Sequence, residues 1–334
     1  MMNTLKNQFN IYRGTVIKGK WHKKQYTVLK ELGQGANGTV FLADSDKGQV
    51  ALKLSNNSVS IISETNVLKS FAKVQGSRLG PSLIDVDDWI TTSGTISFYV
   101  MEYINGPDLL TFAHGKDSTW IDVLMIQLLK DLQHLHENNW VFGDLKPENL
   151  IITGPPTRIR CIDVGGTTIQ GRAIKEFTEF FDRGYWGLGT RKAEPTYDLF
   201  ATAMIILNLF YPNRFNKVEG GIKQLHQMIR KNPALVSYET LLLKALTGKY
   251  ENASQMRHDL LKKTSGNLVK STKHSVLANH NGAQSKSTSV KTSGHPVTRS
   301  MIVQKKKRNG YVESLLLILI ISICYFLYIY AQLT

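Results

Sequence analysis

Between residues 26 and 262 the apolar positions change their spacing along the chain. Thr39–Ala43 and Gln49–Leu54 alternate from side to side as strands do, and "DSDKG" between them supplies turn residues. This pattern predicts a hairpin. Farther on, Ile61, Leu68 and Phe71 share one face of a helix through "IISETNVLKSF". Leu124–His136, "LMIQLLKDLQHLH", repeats the spacing of an amphipathic helix, and His136 at its end reads as a packed structural residue.

Beyond position 262 the pattern stops. Residues 263–308 are rich in Ser, Thr, Asn, Gly and Lys, with few large apolar side chains. Such a segment cannot bury enough apolar surface to offset chain entropy, so a flexible linker is expected. Then Val312–Ala331 gives twenty residues with Glu313 as the single charge. A helix of that length spans about 30 Å, the thickness of a bilayer core, so residues 312–331 are expected to be a transmembrane helix. "KKKR" at Lys305–Arg308 precedes it, and the positive-inside rule places the N-terminal part in the cytosol. This is the layout of a tail anchor. The first 25 residues hold no apolar stretch of signal-peptide length and read as an N-terminal extension.

Composition changes this picture in one respect. Hydrophobic residues at 42% are ordinary for a globular chain, but the net charge is +15. From Lys262 to Arg308 there are eleven Lys or Arg and no Asp or Glu. The basic excess is therefore concentrated in one arm, as an anion-binding segment requires. Two cysteines, Cys161 and Cys324, lie far apart and argue against a disulfide framework.

The chemistry-bearing residues fall in order. "LGQGANGTVFLA" sets Gly33, Gly35 and Gly38 in a G-x-G-x-x-G array, with Val40 following. In a dinucleotide-binding fold such an array opens a helix, whereas here it joins two strands and makes a flap suited to phosphates. "VALKL" puts Lys53 on the next strand, where a cation can neutralise phosphate oxygens if an acid such as Glu64 holds its amine. In "VFGDLKPENLI", Asp144 can accept a hydroxyl proton, Lys146 can stabilise the transferring group, and Asn149 can bind a hard metal ion. Fourteen residues later, "CIDVGG" supplies Asp163 as the main metal ligand.

This ordered set resembles the Hanks-type protein kinases over about residues 26–262. The resemblance implies an α+β, two-lobed fold with a small β-rich N-lobe (about 26–103) and a larger helical C-lobe (about 104–262). It implies ATP and Mg²⁺ as cofactors, and protein Ser/Thr hydroxyls as acceptors, since "DLKPEN" is the serine/threonine form. It also sets Leu32, Ala51 and Glu102 beside the glycines, Val40 and Lys53 around the nucleotide, and makes Asp198 the support of the catalytic-loop backbone.

Two positions depart from the family pattern. Phe142 stands where the family has histidine, and Val164 where it has the phenylalanine of D-F-G. One side chain grew and the other shrank, so a core column with Leu68 is expected to survive, since volume-conserving swaps usually cost under about 1.5 kcal/mol. Gly143 replaces an arginine that pairs with a phosphate on the activation segment, so another trigger or constitutive order must take its place. The A-P-E glutamate and its partner arginine are both missing from their usual places. Thr167, Thr168 and Thr178 are candidate autophosphorylation sites by location.

In the arm, Lys262, Lys263, Lys270, Lys273, Lys286 and Lys291 are candidates to track a DNA backbone without reading sequence, and the near absence of aromatics argues against base stacking. The layout of kinase domain, basic linker and terminal membrane helix is similar to the YabT-type kinases of spore-forming bacteria. That similarity implies a DNA-responsive kinase at a membrane during sporulation, with self-association for autophosphorylation. Two other readings stand beside it: an inactive pseudokinase scaffold joining nucleotide and DNA to a membrane, and a small-molecule phosphotransferase.

Overall fold

The computed structural model describes residues 9, 11–35, 37–73, 79–218 and 220–278. Its N-terminal half is an antiparallel sheet of β1 (Val16–Lys18), β2 (Gln25–Gly35), β3 (Gly38–Ser45), β4 (Gly48–Ser55), β5 (Leu83–Thr91) and β6 (Gly94–Glu102), in the order β1-β2-β3-β4-β6-β5. The predicted hairpin is β3–β4, in register from Thr39 opposite Leu54 to Ser45 opposite Gly48. A bridge between Gly19 and Trp89 brings the first strand round to the last, so the sheet curls into a barrel. Ile17, Tyr26, Val28, Phe41, Leu52, Leu54, Phe98 and Val100 fill the inside of that barrel.

Period two then decides where the chemistry goes. Leu52 and Leu54 point into the barrel, so Lys53 between them points out of it, toward α1 (Ser58–Lys73). Ile61, Leu68 and Phe71 on α1 are buried, which is the apolar face expected from the sequence.

The segment before residue 26 is no detached extension. Ile11 and Ile17 are buried, and β1 pairs with β2 from Val16 opposite Thr27 to Lys18 opposite Gln25. With one inward apolar residue in three, β1 shows no alternation in sequence to betray it.

The helical half comprises α2 (Leu109–Ala113), α3 (Ser118–Glu137), α4 (Pro195–Phe210), α5 (Ile222–Lys231), α6 (Pro233–Val236), α7 (Glu239–Leu246) and α8 (Ala253–Ala278). Small antiparallel pairs join β7 (Trp140–Val141) to β10 (Thr168–Ile169) and β8 (Leu150–Thr153) to β9 (Arg158–Cys161). The Asp117 carboxylate caps α3 by accepting from the Thr119 amide, and Leu124, Leu128 and Leu132 lie fully buried on one face. Helix α4 runs through the centre, with every residue from Tyr197 to Asn208 buried.

Two expectations change at the C-terminal end. Helix α8 continues past residue 262 to Ala278, into the stretch expected to be linker. Lys263, expected in the anion-binding arm, is an internal residue: its ammonium donates to both oxygens of Asp122, at 3.0 and 2.9 Å, and lies 3.6 Å from the centre of the Tyr238 ring. The Tyr238 and Thr264 hydroxyls also donate to Asp122. Lys263 thus fastens α8 to α3, and its charge is already matched. Lys262, one position along, is exposed. Lys270 and Lys273 lie on the helical backbone of α8. Among the described residues no helix is long and apolar enough to cross a membrane. The expected span at 312–331, "KKKR", Lys286 and Lys291 lie outside the described residues.

Candidate active site

A cavity of about 400 Å³ opens where β2, β3 and β4 face the helical half. Leu32, Val40 and Ala51 supply its apolar wall from the sheet, and Ile151 and Ile162 lie across from them, leaving a slot that suits a flat aromatic ring. Met101, Glu102, Tyr103 and Ile104 form the strand end at its back. The Glu102 side chain is turned to Arg160, which grips it with two bonds of 3.0 and 2.9 Å and holds its carboxyl below the usual range. At the other end stand Gly33, Gly35, Gly38, Lys53, Asn149 and Asp163. Gly38 has φ of 134°, and a Cβ there would lie 2.2 Å from the Leu54 carbonyl oxygen, so the loop can close on the sheet only with glycine.

Lys53 is buried, and its ammonium donates to Glu64 Oε2 at 2.6 Å. Glu64 is held from two further directions, by Ser60 Oγ at 3.0 Å and by the Tyr99 hydroxyl at 2.7 Å. Burial, and then the neighbouring Glu64, push the Tyr99 phenol well above its ordinary value, so it stays a donor. A lysine fixed in this way offers its remaining protons to the cavity, which is what an incoming anion needs.

The catalytic loop is supported from below by Asp198 on α4, which is fully buried. Its carboxylate accepts from the amides of Phe142 at 2.8 Å and Gly143 at 2.9 Å, and also binds His136 Nε2 at 2.8 Å. His136 is thus structural, as its place in the sequence suggested. Gly143 adopts φ of 86°, and a Cβ there would stand 2.7 Å from the Gly166 carbonyl oxygen. The position is therefore constrained in backbone as well as charge.

On that platform the Asp144 carboxylate binds the Lys146 ammonium and accepts from Thr178 Oγ1 at 3.1 Å. Asn149 Nδ2 donates to the Asp144 carbonyl oxygen at 3.3 Å, which leaves its amide oxygen for another partner. Asp163 Oδ1 accepts from the Gly165 amide at 2.9 Å. Phe142, Val164 and Leu68 are all buried and belong to one core cluster. Asn149 and Asp163 offer hard oxygen donors on the cavity wall. Among the described residues no three His, Cys, Asp or Glu gather to hold a metal alone. Such a site fits Mg²⁺, which usually takes one or two protein ligands and completes its shell with phosphates and water.

Several features went unread in the sequence. Glu176 and Asn37 line the same cavity. Thr178, a candidate acceptor by location, sits instead against Asp144, and Thr167 and Thr168 are buried. The segment after Asp163 carries its own ties: Arg183 to Glu194 at 3.1 Å, and Arg191 to Asp182 at 2.7 Å. Asp182, fully buried, also accepts from the Tyr197 hydroxyl and the Gly184 and Tyr185 amides. These ties hold the segment together through its own side chains.

Comparison with known proteins follows the same lines. The family model for the protein kinase domain matches residues 26–275. The chain is 50% identical over 321 residues to a serine/threonine-protein kinase, YabT, of Bacillus subtilis (strain 168), covering 95% of this chain and 94% of that protein. It is 31% identical to the serine/threonine-protein kinase cds1 of Schizosaccharomyces pombe over 40% of this chain and 31% of the relative. Its identity to human serine/threonine-protein kinase ULK3 is also 31%, over 38% of this chain and 28% of the relative.

Proposed function

This chain belongs to the protein kinase family and is a serine/threonine protein kinase; from that premise we propose how its residues act and where the protein works. The observation that carries the reading is the buried Lys53–Glu64 pair, whose lysine lines one cleft with Asn149 and Asp163, while Asn149 in turn donates to the Asp144 carbonyl oxygen. Lys53 neutralises phosphate oxygens of ATP, and Glu64 fixes its position. Asp144 orients the acceptor hydroxyl of a protein substrate and takes its proton. Lys146 lies beside Asp144 and offsets charge on the transferring group. Asn149 and Asp163 hold Mg²⁺, which supplies charge neutralisation when bound. Radiolabel from the γ-phosphate of ATP should enter protein, with Asp144→Asn as the control. Label in a metabolite and none in protein would exclude this reading.

The remainder of the proposal concerns location and control. Coverage of 95% of the chain by the Bacillus relative must run past residue 278, into the basic arm and apolar tail. With the charge distribution, this supports a kinase anchored in a membrane by residues 312–331, with its catalytic part in the cytoplasm. DNA bound along the arm concentrates the kinase and stimulates autophosphorylation between copies, during sporulation. Lys262, Lys270, Lys273, Lys286 and Lys291 are the proposed contacts, with Lys263 removed from that set. Changing these five to Gln should abolish stimulation by DNA and leave basal labelling; stimulation that survives excludes the arm as the receptor. Fractionation should find the protein in membranes only when residues 312–331 are present.

A further inference from the structure

Asn37 and Glu176 are 139 positions apart in sequence, yet Asn37 Nδ2 donates to Glu176 Oε1 at 2.5 Å. Asn37 belongs to the glycine turn between β2 and β3, and Glu176 to the segment after Asp163. Both line the cavity at the end that holds Lys53, Gly165 and Asp163. A Cβ on Gly165 would lie 3.7 Å from both oxygens of Glu176, so the carboxylate overhangs the residues that follow the metal ligand. Burial, then Asp163 and Asp144, push the Glu176 carboxyl above its ordinary value, and Lys53 alone among the main influences favours its charge. This is a carboxylate in a crowded negative field, tied to the flap under which phosphates pass.

Resting on the nucleotide reading above, we propose that Asn37 and Glu176 form a clasp that shuts the phosphate end of the cleft and must open for ATP. Glu176 holds by its charge the space and the Lys53 field that the phosphates of ATP need, and by its bond to Asn37 it keeps the glycine turn down. Bound triphosphate and the closed clasp are therefore exclusive. The activation segment acts on nucleotide affinity directly, and anything that draws Glu176 away from Asn37 raises it.

Calorimetric titration of the full-length chain with adenosine and with the magnesium complex of a non-hydrolysable ATP analogue tests this. Glu176→Ala should bind the analogue at least about 5-fold more tightly than the unmodified protein and bind adenosine unchanged, as expected of a coupling of ordinary size. Glu176→Gln, which keeps an acceptor for Asn37 but no charge, should fall between. Asn37→Ala should move affinity in the same direction, and Asn37→Ala with Glu176→Ala should equal Glu176→Ala alone, because one contact is removed in both. Equal affinity for the analogue in Glu176→Ala overturns the clasp. So does weaker affinity with adenosine unchanged, which would make Glu176 a helper of the nucleotide. If neither ligand binds any form of the protein, the nucleotide reading itself falls and takes the clasp with it.

Discussion

Lys263 offers a direct measurement of where the folded unit ends. Replacing it by Met removes a charge whose side chain is 11% exposed from a carboxylate, Asp122, that is 4% exposed. Breaking a buried pair from one side costs about 3–5 kcal/mol, because the other charge is left without compensation. Here the Tyr238 hydroxyl at 2.6 Å and the Thr264 hydroxyl at 3.1 Å remain on Asp122, which holds the loss to the lower end, about 3 kcal/mol. In a domain of this size each kcal/mol moves Tm by about 2–4 °C, so a fall of about 6–12 °C is expected in thermal unfolding followed by circular dichroism. Lys262→Met, at the exposed neighbour, should stay within about 0.5 kcal/mol. Adding Asp122→Leu to Lys263→Met should recover much of the loss, since an apolar pair leaves no buried charge behind. Equal melting of the two lysine variants would refute the reasoning and return Lys263 to the arm.

Other expectations follow from the site. Lys53→Met should lower phosphate transfer by at least about a thousandfold while the fold persists, which labelling and circular dichroism together check. Gly143→Ala forces a side chain into a left-handed backbone and against the Gly166 carbonyl, so stability in urea should drop by about 1–3 kcal/mol; an unchanged midpoint would show that the loop relaxes freely. Burial comes first among the causes that raise the phenols of Tyr26, Tyr99, Tyr197, Tyr238 and Tyr250 above their ordinary value near 10. A raised folded pKa contributes stability that is complete below pH 10 and is lost as pH rises through the folded value. Stability should therefore fall above pH 10, with phenolate absorbance for these residues lagging until unfolding; early titration of all tyrosines would contradict the burial.

The catalytic centre was legible because phosphoryl transfer dictates residue type and local spacing together. Asp144, Lys146 and Asn149 lie within six positions, and Lys53 is placed by strand alternation alone. Asp198 was legible by resemblance, and the structure gives it two amides to hold. Glu176 and Lys263 were not legible, since each acquires its meaning from a partner more than a hundred positions away. The start of the expected linker differs for a related reason: its polar composition carries no core signal, while Lys263 and Thr264 bind Asp122 on α3. Strand β1 is held by backbone bonds, which carry no side-chain signature.

The contact between Gly19 and Trp89 has a bearing on life at high density. Copies of any chain held at high local concentration meet one another far more often than dilute molecules do. A flat sheet would offer its neighbours open borders, and unsatisfied amides there template cross-chain pairing and fibres. Here the outermost strands turn toward each other. Encounters between copies are thereby steered to side-chain surfaces, where contact is reversible.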